Sequence, residues 1–550
     1  MGGYQYDPSD FREVFERHFT YLSGFERNRH RYASAPALRD PLTDRSWTYA
    51  ELGADVDRLA SGLAARGVGA GAVVVMQLLN CPEFAMVWLA AQRLGAVAAP
   101  INFRLSAGET AYVLDDSVPT VFVYDETLAD TAREALSRAE HRPAHVAIVD
   151  PDNTAATPEG VEPFADLLTG DGPVPPLPDV GVYDETTRLY TSGTTGLPKG
   201  VSLSSLVEVL TAHDVIMHFP LAPEDKTLNM TPWFHRGGLY SGGPNPVLYV
   251  GGEVVAMRQF DAATVLDWVA QYGLTYLIGA PTSLSLLADE QEKRARDLST
   301  LRGIVTMGAP LGKEACLRYE EILTARIFNG YGTTEAFWNT FLRPSDLPAH
   351  AGTAGRACTD DDVAVVKVYE DRHADPDDHV AKDGTEVGEI IVRSVKSGYS
   401  YANQPEEQRA RFRSGWLYIG DLATWDADEY VTIVGRKDDM IISGGENVHP
   451  VQVEEVLGSH PDILDSVVVG LPDPTWGELV VAYVRPGTDA LTVAECDRLC
   501  REHPMLSDFK RPRAYRFVDS LPMTATGKKM HYQVREQAVA DEAAGRLTRL

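Results

Sequence analysis

Residues 190–201, YTSGTTGLPKGV, combine hydroxyl side chains, glycines and one lysine within a single short segment. Backbone N–H groups in a glycine-rich turn can surround phosphate oxygens, and hydroxyls and an ammonium add further donors. The order differs from the G-x-x-x-x-G-K-[ST] phosphate loop, since Pro198 precedes Lys199 and Gly200 follows it. The segment therefore predicts a phosphate loop of another kind, and taken alone a plain surface loop stays an open alternative.

Further segments decide which phosphate chemistry this is. They are TPWFHRGGL (231–239), NGYGTTEA (329–336), GWLYIGDLA (415–423), VGRKDDMIISGGENVHP (434–450) and LPMTATGKK (521–529). Together with 190–201, and in this order, they resemble the motifs of the adenylate-forming superfamily, which includes acyl-CoA synthetases, peptide-synthetase adenylation domains and luciferases. The motifs are most similar to those of aryl- and fatty-acyl-CoA ligases. The resemblance runs from about residue 46 to 530, nearly the whole chain.

The resemblance implies a reaction in two halves. A carboxylate attacks the α-phosphorus of ATP to give an acyl-adenylate and pyrophosphate, and a thiol, usually that of coenzyme A, then displaces AMP. The first half gathers anionic groups, so cations and oriented donors are needed around the phosphates. The expected enzyme is an AMP-forming acid–CoA ligase, and its expected cofactors are ATP, Mg2+ and coenzyme A.

The matching motifs also imply the site residues. Lys528 resembles the lysine that reaches both the carboxylate and the α-phosphate, because a compact, mobile ammonium can follow the shifting charge. Its neighbour Lys529 is interpreted as a solvated loop lysine. Glu335 resembles the Mg2+ contact, Thr334 the donor to the α-phosphate, and His235 the histidine beside the acid pocket. The expected nucleotide contacts are Thr191, Ser192, Gly193, Thr194, Thr195, Lys199, Gly308, Ala309, Pro310, Asn329, Gly330, Tyr331, Gly332, Thr333, Asp421 and Arg436.

Within this nucleotide set the resemblance implies distinct tasks. The hydroxyls, glycines and Lys199 hold the β- and γ-phosphates, and Tyr331 lies against the adenine. Asp421 accepts both ribose hydroxyls, a role that suits an ionised carboxylate because it only accepts hydrogen bonds. Arg436 lies near ribose and phosphate, and the hinge of the small domain is expected just after it, at Asp438.

A second group of residues points to the acceptor. Residues 443–447 resemble the turn that lines the pantetheine tunnel of CoA ligases, where glycines suit the close passage of a thin arm. FKRPR (509–513) and Trp476 resemble positions that hold the CoA adenine and its 3′-phosphate, and a basic cluster in an acidic protein suits an anionic nucleotide. A solvated basic turn is the alternative. The expected contacts are Gly444, Gly445, Trp476, Phe509, Arg511 and Arg513.

The acid is predicted only by class. Amino-acid-activating relatives usually carry an aspartate where His235 stands, so an amino acid is disfavoured. Arg236 is expected either to pair with a second anionic group of the substrate or to face solvent. Met307 and Ile419 stand where relatives usually carry glycine and threonine, and Met307 can narrow the acid pocket or shift the adenine. Aromatic residues that could favour an aryl or arylpropenoic acid are Trp233, Tyr240, Tyr276, Phe337 and Trp338.

Hydrophobic periodicity predicts the elements that position these motifs. Helix-like and strand-like segments alternate over 47–125 and 261–307, which favours α/β layers with a mostly parallel sheet. Residues 150–187 predict a connecting loop region, and 366–395 predict antiparallel strands. The fold expected with the resemblance is α/β. A large N-terminal adenylation (AMP-binding) domain (1–436) holds two α/β sheets plus a distorted β-barrel, and a small mobile α+β lid domain (437–550) follows.

Composition excludes some function classes. Lys and Arg number 50 against 79 Asp and Glu, a net charge of −29, which lacks the basic footprint of general nucleic-acid binding. The sparse cysteines fit a reducing compartment, and Cys496 and Cys500, at i, i+4 on a predicted amphipathic helix, lack further metal ligands nearby. No segment approaches the ~18 apolar residues that span a bilayer, and the N-terminus lacks a signal-peptide pattern. A cytoplasmic protein without membrane insertion is predicted.

Other interpretations stay open beside the CoA ligase. An adenylating enzyme of a natural-product pathway could load a separate carrier protein, form an amide or activate nitrite for diazotisation, with the same ATP motifs. A catalytically inactive nucleotide-binding protein is disfavoured because Glu335, Asp421, Arg436 and Lys528 occur together. The expected partner is a small-molecule carboxylic acid. A carrier protein and a second copy of the chain, in a homodimer, are partners that the sequence leaves open.

Overall fold

The computed structural model describes residues 7–151, 157–169, 176–177, 179–192, 198–369, 372–443, 446–474, 476–503, 506, 508–523 and 528–550. Its α-helices, in chain order, are α1 Ser9–His18, α2 Tyr21–Arg31, α3 Tyr49–Ala65, α4 Pro82–Arg93, α5 Ala107–Ser117, α6 Ala129–Arg138, α7 Phe164–Leu167, α8 Ser205–His218, α9 Arg236–Tyr240, α10 Pro244–Val250, α11 Ala262–Tyr272, α12 Pro281–Lys293, α13 Lys313–Ile322, α14 Pro405–Arg411, α15 Pro450–Gly458, α16 Val493–Glu502 and α17 His531–Ala543.

The strands belong to four sheets. In chain order they are β1 Pro36–Asp40, β2 Arg45–Thr48, β3 Val73–Gln77, β4 Val97–Pro100, β5 Val121–Asp125, β6 His145–Val149, β7 Glu162–Pro163, β8 Glu185–Ser192, β9 Pro198–Ser204, β10 Lys226–Asn229, β11 Glu253–Val255, β12 Tyr276–Gly279, β13 Gly303–Met307, β14 Ile327–Thr333, β15 Phe337–Leu342, β16 Arg356–Ala357, β17 Asp361–Val366, β18 Gly388–Ser394, β19 Phe412–Arg413, β20 Trp416–Trp425, β21 Val431–Arg436, β22 Ile441–Ser443, β23 Glu446–Val448, β24 Ile463–Asp473, β25 Gly477–Pro486, β26 Ala514–Phe517 and β27 Thr548–Arg549.

A seven-stranded sheet forms the first α/β layer. Its order is β7-β6-β5-β3-β4-β8-β9, and all its strand pairs are parallel except β8 with β9. Strand β3 is buried at every position, as is typical of a parallel sheet that helices cover on both faces. The alternation predicted over 47–125 is confirmed, because α3, β3, α4 and β4 follow one another in the expected order.

A nine-stranded sheet forms the second layer. Its order is β16-β15-β14-β13-β12-β10-β11-β1-β2, with a parallel centre from β14 to β1 and antiparallel strands at both edges. The alternation predicted over 261–307 corresponds to α11, β12, α12 and β13. One apolar core contains buried side chains of both sheets, such as Met76 and Ile278, so the two layers share a core.

Helix α3 illustrates how local sequence sets the ends of an element. The Thr48 hydroxyl accepts a hydrogen bond from the N–H of Glu51, and the Glu51 carboxylate accepts one from the N–H of Thr48. This reciprocal pair satisfies N–H groups that have no partner within the helix. The helix stops just before Gly67, whose φ of +82° suits glycine far better than other residues.

The third sheet is antiparallel and stands where the distorted barrel was expected. Its order is β17-β18-β20-β19, with β21 paired to β20, and β17 and β18 confirm the antiparallel strands predicted near 366–395. The loop predicted over 150–187 is partly wrong, because β7, α7 and the start of β8 lie within it. Strand β7 has only two residues and pairs with β6, so its length hides it from a search for periodicity.

Residues 441–549 carry the fourth, six-stranded sheet. Its order is β23-β22-β25-β26-β27 with β24 on β25, and α15 and α17 pack on β24. Cys496 and Cys500 are buried on α16, which confirms the predicted amphipathic helix. The predicted fold class is confirmed, whereas the domain boundary after residue 436 stays a prediction. Within the described ranges, no helix is long and apolar enough to cross a bilayer.

Candidate active site

The predicted phosphate loop lies in the hairpin between β8 and β9. Its antiparallel register pairs Thr191 with Lys199, so the two ends of the loop lie side by side. Lys199 is buried, and its ammonium lies 2.6 Å from Glu407 Oε1. Outside the described residues lie Gly193, Thr194, Thr195 and the side chain of Ser192.

Glu407, on α14, is a partner that sequence reasoning missed. Burial acts to raise the pKa of its carboxyl, but the hydrogen bonds and charges of Lys199 and Arg411 together outweigh burial, so the pKa lies below its ordinary value. Arg411 Nε lies 3.3 Å from the same oxygen. Two cations are therefore held together beside the β8–β9 hairpin, and no local sequence pattern connects positions 199 and 407.

Asp421 joins two other predicted nucleotide residues. Tyr331 Oη donates a hydrogen bond to Asp421 Oδ2 at 2.8 Å, and Arg436 Nε lies 3.3 Å from Oδ1. The antiparallel register of β20 and β21 places Asp421 opposite Arg436. Burial and the neighbouring carboxylate raise the pKa of Tyr331, so its hydroxyl keeps the proton that it donates. The structure thus brings together residues from the second and third sheets.

Lys528 faces this cluster from the C-terminal part of the chain. Burial lowers the pKa of its ammonium, while the charges of Asp421 and Asp439 oppose that change and Arg436 reinforces it. The Lys528 side chain is also accessible to solvent. Asp421 is also partly accessible to solvent, and its charge acts on Lys528, so the two groups face one open space, which we call the cleft.

His235 lies at the N-terminus of α9 and near Lys528. Its Nδ1 accepts a hydrogen bond from the N–H of Gly237 at 3.3 Å. Burial, with a smaller contribution from the charge of Lys528, lowers the pKa of His235 to about 4. The imidazole is therefore neutral at pH 7 and carries its proton on Nε2, where it can donate to a carboxylate.

Met307 bounds the space beside His235. A Cβ atom built on Gly237 would lie 3.1 Å from Met307 Sδ and 3.5 Å from His235 Nδ1. The Met307 side chain is thus packed against the first turn of α9, where relatives were expected to carry a glycine. This contact supports the expectation that Met307 narrows the space for the acid.

Glu335 lies on the turn between β14 and β15. Its Oε1 accepts a hydrogen bond from Tyr401 Oη at 2.7 Å, and Tyr401 is buried. The turn is tight, because a Cβ on Gly332 would lie 1.5 Å from the Phe337 carbonyl oxygen. A carboxylate held in place by a hydrogen bond, with oxygen donors of the kind that Mg2+ prefers, fits the metal that the resemblance implies.

Arg236 corrects the sequence interpretation. Its residue is only 2% exposed, so it does not face solvent, and both of its terminal nitrogens donate to the protein. Nη1 donates to the Thr334 carbonyl oxygen and Nη2 to that of Lys396, the latter at 2.7 Å. The guanidinium also lies 5.5 Å from the ring centres of both Tyr240 and Phe337. Arg236 therefore supports the Glu335 turn from behind instead of offering its charge to a substrate.

The aromatic residues predicted to line the acid pocket are all buried, and their contact with the acid stays a prediction. Each is at most 3% exposed, and each packs against other side chains of the fold. Phe337 stacks on Trp338 with ring centres 4.8 Å apart, and Trp233 packs edge-on against Phe84. Residue type and motif position alone did not reveal this, because an aromatic side chain fits a pocket wall and a core equally well. The residues concerned are Trp233, Tyr240, Tyr276, Phe337 and Trp338.

The remaining nucleotide candidates lie at or beside the carboxyl ends of β13 and β14. These strands are parallel neighbours, and ligands of open α/β sheets bind beyond the carboxyl ends of such strands. Gly308 is exposed. Its φ of +85° is one that glycine adopts readily, so it allows the chain to turn after β13. The candidates in these two places are Gly308, Ala309, Pro310, Asn329, Gly330, Gly332 and Thr333.

The residues expected to contact coenzyme A differ in exposure. Trp476, between β24 and β25, is 44% exposed, and Arg513 is partly exposed. Arg511 is buried and pairs with Asp497 on α16. It therefore attaches its own segment to that helix and presents little charge to a ligand. The CoA prediction for Arg511 thus lacks the exposed guanidinium it assumed. Outside the described residues lie Gly444, Gly445 and the side chain of Phe509.

A group of metal-ligand types lies behind the cleft in the described part of the chain. The donor atoms of Asp214, His218 and Cys358 lie within 4.8 Å of one another. The Lys396 ammonium, however, lies 3.0 Å from Asp214 Oδ1 and 2.8 Å from Asp361 Oδ2. A buried ammonium already balances the carboxylates, so the group is an ion-pair network rather than a metal centre.

Comparison with known proteins identifies the family of this chain. The AMP-binding enzyme family matches residues 25–401, and the AMP-binding enzyme C-terminal domain matches residues 452–528. The chain belongs to the AMP-binding enzyme family. The sequence-based prediction of an adenylate-forming enzyme is therefore confirmed.

Individual relatives cover nearly the whole chain. An indoleacetate–CoA ligase of Aromatoleum aromaticum is 35% identical over 91% of this chain and 94% of its own length. A feruloyl-CoA synthase of an Amycolatopsis species is 34% identical over 89% and 94%. Among solved structures, the anthranilate CoA ligase AuaEII in complex with anthranoyl-AMP superposes with a TM-score of 0.86, 27% identity and coverage of 98% and 100%.

The proximity of Lys528 to His235 can be tested by titration. We expect His235 to show a pKa of about 4, and Lys528→Met to raise that pKa toward 6.5 without reaching it, because burial is the larger cause. The measurement is an NMR titration of histidine-labelled protein, with His235→Gln to assign the signal. An unchanged His235 pKa in Lys528→Met, beside a folded control such as Lys382→Met, would place the two groups apart in solution.

Proposed function

We propose that this protein is an AMP-forming acid–CoA ligase whose catalytic cleft is the one that holds Lys528, His235, Asp421 and Glu335. It activates a carboxylic acid as its acyl-adenylate and then transfers the acyl group to coenzyme A, with AMP and pyrophosphate as the other products. The observation that carries the proposal is the pairing of Asp421 with Tyr331 and Arg436, with Lys528 close enough for its charge to act on Asp421 and on His235.

In the first half-reaction an oxygen of the acid attacks the α-phosphorus, and the bond to pyrophosphate breaks. Lys528 balances negative charge on the carboxylate and the α-phosphate, and the neutral His235 donates from Nε2 to orient the acid. Asp421 accepts ribose hydroxyls while Tyr331 and Arg436 hold its carboxylate in position. Preorganised charges of this kind act strongly where water is partly excluded.

Glu335 is the residue that would hold Mg2+, with Tyr401 orienting its carboxylate. When bound, the ion would offset the charge of the phosphates and the leaving pyrophosphate. Lys199 and Arg411 supply further positive charge beside the phosphate hairpin. Both cations contact the Glu407 carboxylate, and the oxygens of a bound phosphate would take the place of that carboxylate.

In the second half-reaction the thiol of coenzyme A attacks the acyl carbon, and the bond to AMP breaks. The exposed Trp476 offers a stacking surface for the adenine, and Arg513 and Lys510 offer charge for its phosphate. Arg511 is too deeply paired with Asp497 to take part directly.

The acid is proposed to be an aryl or arylpropenoic acid. Support comes from relatives named for indoleacetate and ferulate, and from a solved structure named for anthranilate. Met307 beside His235 limits the space for bulk close to the carboxyl group. Flat, narrow acids suit such a space better than acids branched next to the carboxyl carbon.

The reaction is tested by mass spectrometry of mixtures that contain the protein, ATP, Mg2+ and a pooled panel of acids, with and without coenzyme A. We expect acyl-CoA and AMP only when coenzyme A is present, and the product mass identifies the acid. Acyl-adenylate that accumulates and does not react with coenzyme A would contradict the ligase and favour a carrier protein, an amine or nitrite as the co-substrate.

Lys528→Ala is expected to separate the two half-reactions. Adenylate formation should fall by at least about 100-fold, because a charge that stabilises the transition state is lost. Thioester formation from supplied acyl-adenylate should remain within about 3-fold, less than 1 kcal/mol. Rapid-quench assays of each half measure both rates. An equal loss in both halves would contradict the assigned role.

Tyr401→Phe is expected to weaken use of Mg2+. A hydrogen bond to a charged group contributes about 1.5–3 kcal/mol, so the Mg2+ concentration for half-maximal rate should rise at least about 10-fold. Tyr430→Phe is the matched control, because Tyr430 Oη donates to Asp346 at 2.9 Å outside the proposed catalytic set. Equal Mg2+ dependence in both variants would contradict the metal role of Glu335.

A further inference from the structure

Lys529, the neighbour of Lys528, is not the solvated loop lysine that its sequence suggests. Its ammonium lies 2.9 Å from Glu454 Oε2 and 3.0 Å from Asp465 Oδ1, and its side chain is 27% exposed. Burial opposes its charge, but the two carboxylates outweigh burial and raise the pKa of Lys529. Lys529 therefore ties its segment to both α15 and β24.

Glu454 is the centre of this attachment. Glu454 is buried. Its second oxygen, Oε1, accepts a hydrogen bond from the N–H of Val468 at 2.8 Å and lies 2.7 Å from His531 Nε2. Burial would raise the pKa of Glu454, but Lys529 and His531 lower it to about 2. The carboxylate is thus ionised throughout the neutral range, and residues on both sides of Met530 bind to it.

The backbone around Lys529 is extended and paired. Met523 and Lys529 form an antiparallel bridge, and the N–H of Met530 donates to the Pro522 carbonyl oxygen at 3.0 Å. Successive side chains of an extended segment point to opposite sides. Because the Lys529 side chain points toward α15 and β24, the Lys528 side chain points away from them.

The charged neighbours of Lys528 agree with this direction. They are Asp421, Arg436 and Asp439, and Lys528 also affects His235. None of these four residues belongs to α15, β24 or α17. Asp439 also acts on His531, whereas Asp421, Arg436 and His235 act only on the side of Lys528. The Lys528 side chain is therefore directed toward the cleft, and Lys529 toward α15 and β24.

We propose that Lys529 is a positioning residue for adenylation, whose pairing with Glu454 and Asp465 holds the backbone that presents Lys528 to the cleft. The inference rests on the proposed role of Lys528 and adds to it a residue that touches neither substrate nor nucleotide. A long side chain reaches its target only from a fixed base, and a displacement of about 1 Å can reduce a rate about 100-fold.

The test compares the two half-reactions in Lys529→Met, using the acid identified from the panel. We expect kcat of acyl-adenylate formation to fall about 30- to 100-fold, with KM for ATP and thioester formation from supplied acyl-adenylate within about 3-fold. Lys529→Arg should recover most of the rate, because it restores a cation beside both carboxylates. Hydrogen–deuterium exchange at Met530 should quicken in Lys529→Met and not in Lys529→Arg.

Two further variants separate positioning from general stability. Arg516→Met is the matched control, since Arg516 Nε lies 3.1 Å from the buried Asp541 and has no contact with the Lys529 group in the described structure; it should leave the ratio of the half-reactions unchanged. Asp465→Asn removes one partner without stranding Glu454, and protects the test if Lys529→Met folds poorly; its adenylation rate should fall about 5-fold.

Different failures have different meanings. Adenylation within about 3-fold of the parent protein in Lys529→Met and Asp465→Asn, beside its loss in Lys528→Ala, would overturn the positioning role and leave the proposed function intact. Equal losses in both half-reactions, as a merely structural role predicts, would also overturn it. Intact adenylation in Lys528→Ala would instead refute the proposed role of Lys528 itself.

Discussion

The carboxylate of Asp421 is the charge on which the arrangement of the cleft depends. Tyr331 reaches it from the second sheet, Arg436 reaches it from the neighbouring strand, and Lys528 approaches it from the C-terminal part of the chain. The negative charge of Asp421 offsets the repulsion between the positive charges of Arg436 and Lys528. One ionised side chain therefore links three separate parts of the fold at the place where an acid and ATP must meet.

Behind the cleft, buried cations hold the turn that carries Glu335. Arg236 donates to the Thr334 carbonyl, and Lys396 joins Asp214 to Asp361 while its own carbonyl accepts from Arg236. Burying charge costs free energy unless the charges are paired, so each of these groups has a polar partner. Such a network resists displacement, because removal of one member leaves another buried charge without compensation. The Glu335 turn consequently has a rigid support.

The fold could be predicted well from the sequence because periodicity and turn residues act locally. Helix α3 follows from its apolar spacing, the Thr48 and Glu51 cap and the glycine after it. The motifs likewise assigned Lys528, His235 and Asp421 to one catalytic site, and this assignment stays a prediction. Strand β7 was missed because two residues carry no period, and the pairings of Tyr401 and Glu407 were missed because they join segments far apart in the chain.

Depth was the property that the sequence could not supply. Arg236, Arg511 and Lys529 are all basic residues within or beside recognised motifs, and each was interpreted as exposed or ligand-binding. The structure buries or pairs all three, because a cation's environment depends on carboxylates and carbonyls brought in by other elements. A chain with 79 acidic residues offers many carboxylates that can pair with a lysine or arginine. A basic residue of a motif is therefore more readily paired within the fold than it would be in a basic protein.

The balance of charge in the cleft also bears on how the two half-reactions can follow one another. Lys528, Arg436 and Lys199 concentrate positive charge there although the protein as a whole carries −29. We expect bound ATP to add negative charge near Lys528 and to favour the approach of its ammonium. Once pyrophosphate leaves, much of that negative charge leaves with it, and Lys528 loses part of its attraction to the site. Because Lys529 attaches the segment that carries Lys528 to α15 and β24, any movement of Lys528 away from the cleft would involve that helix and strand as well.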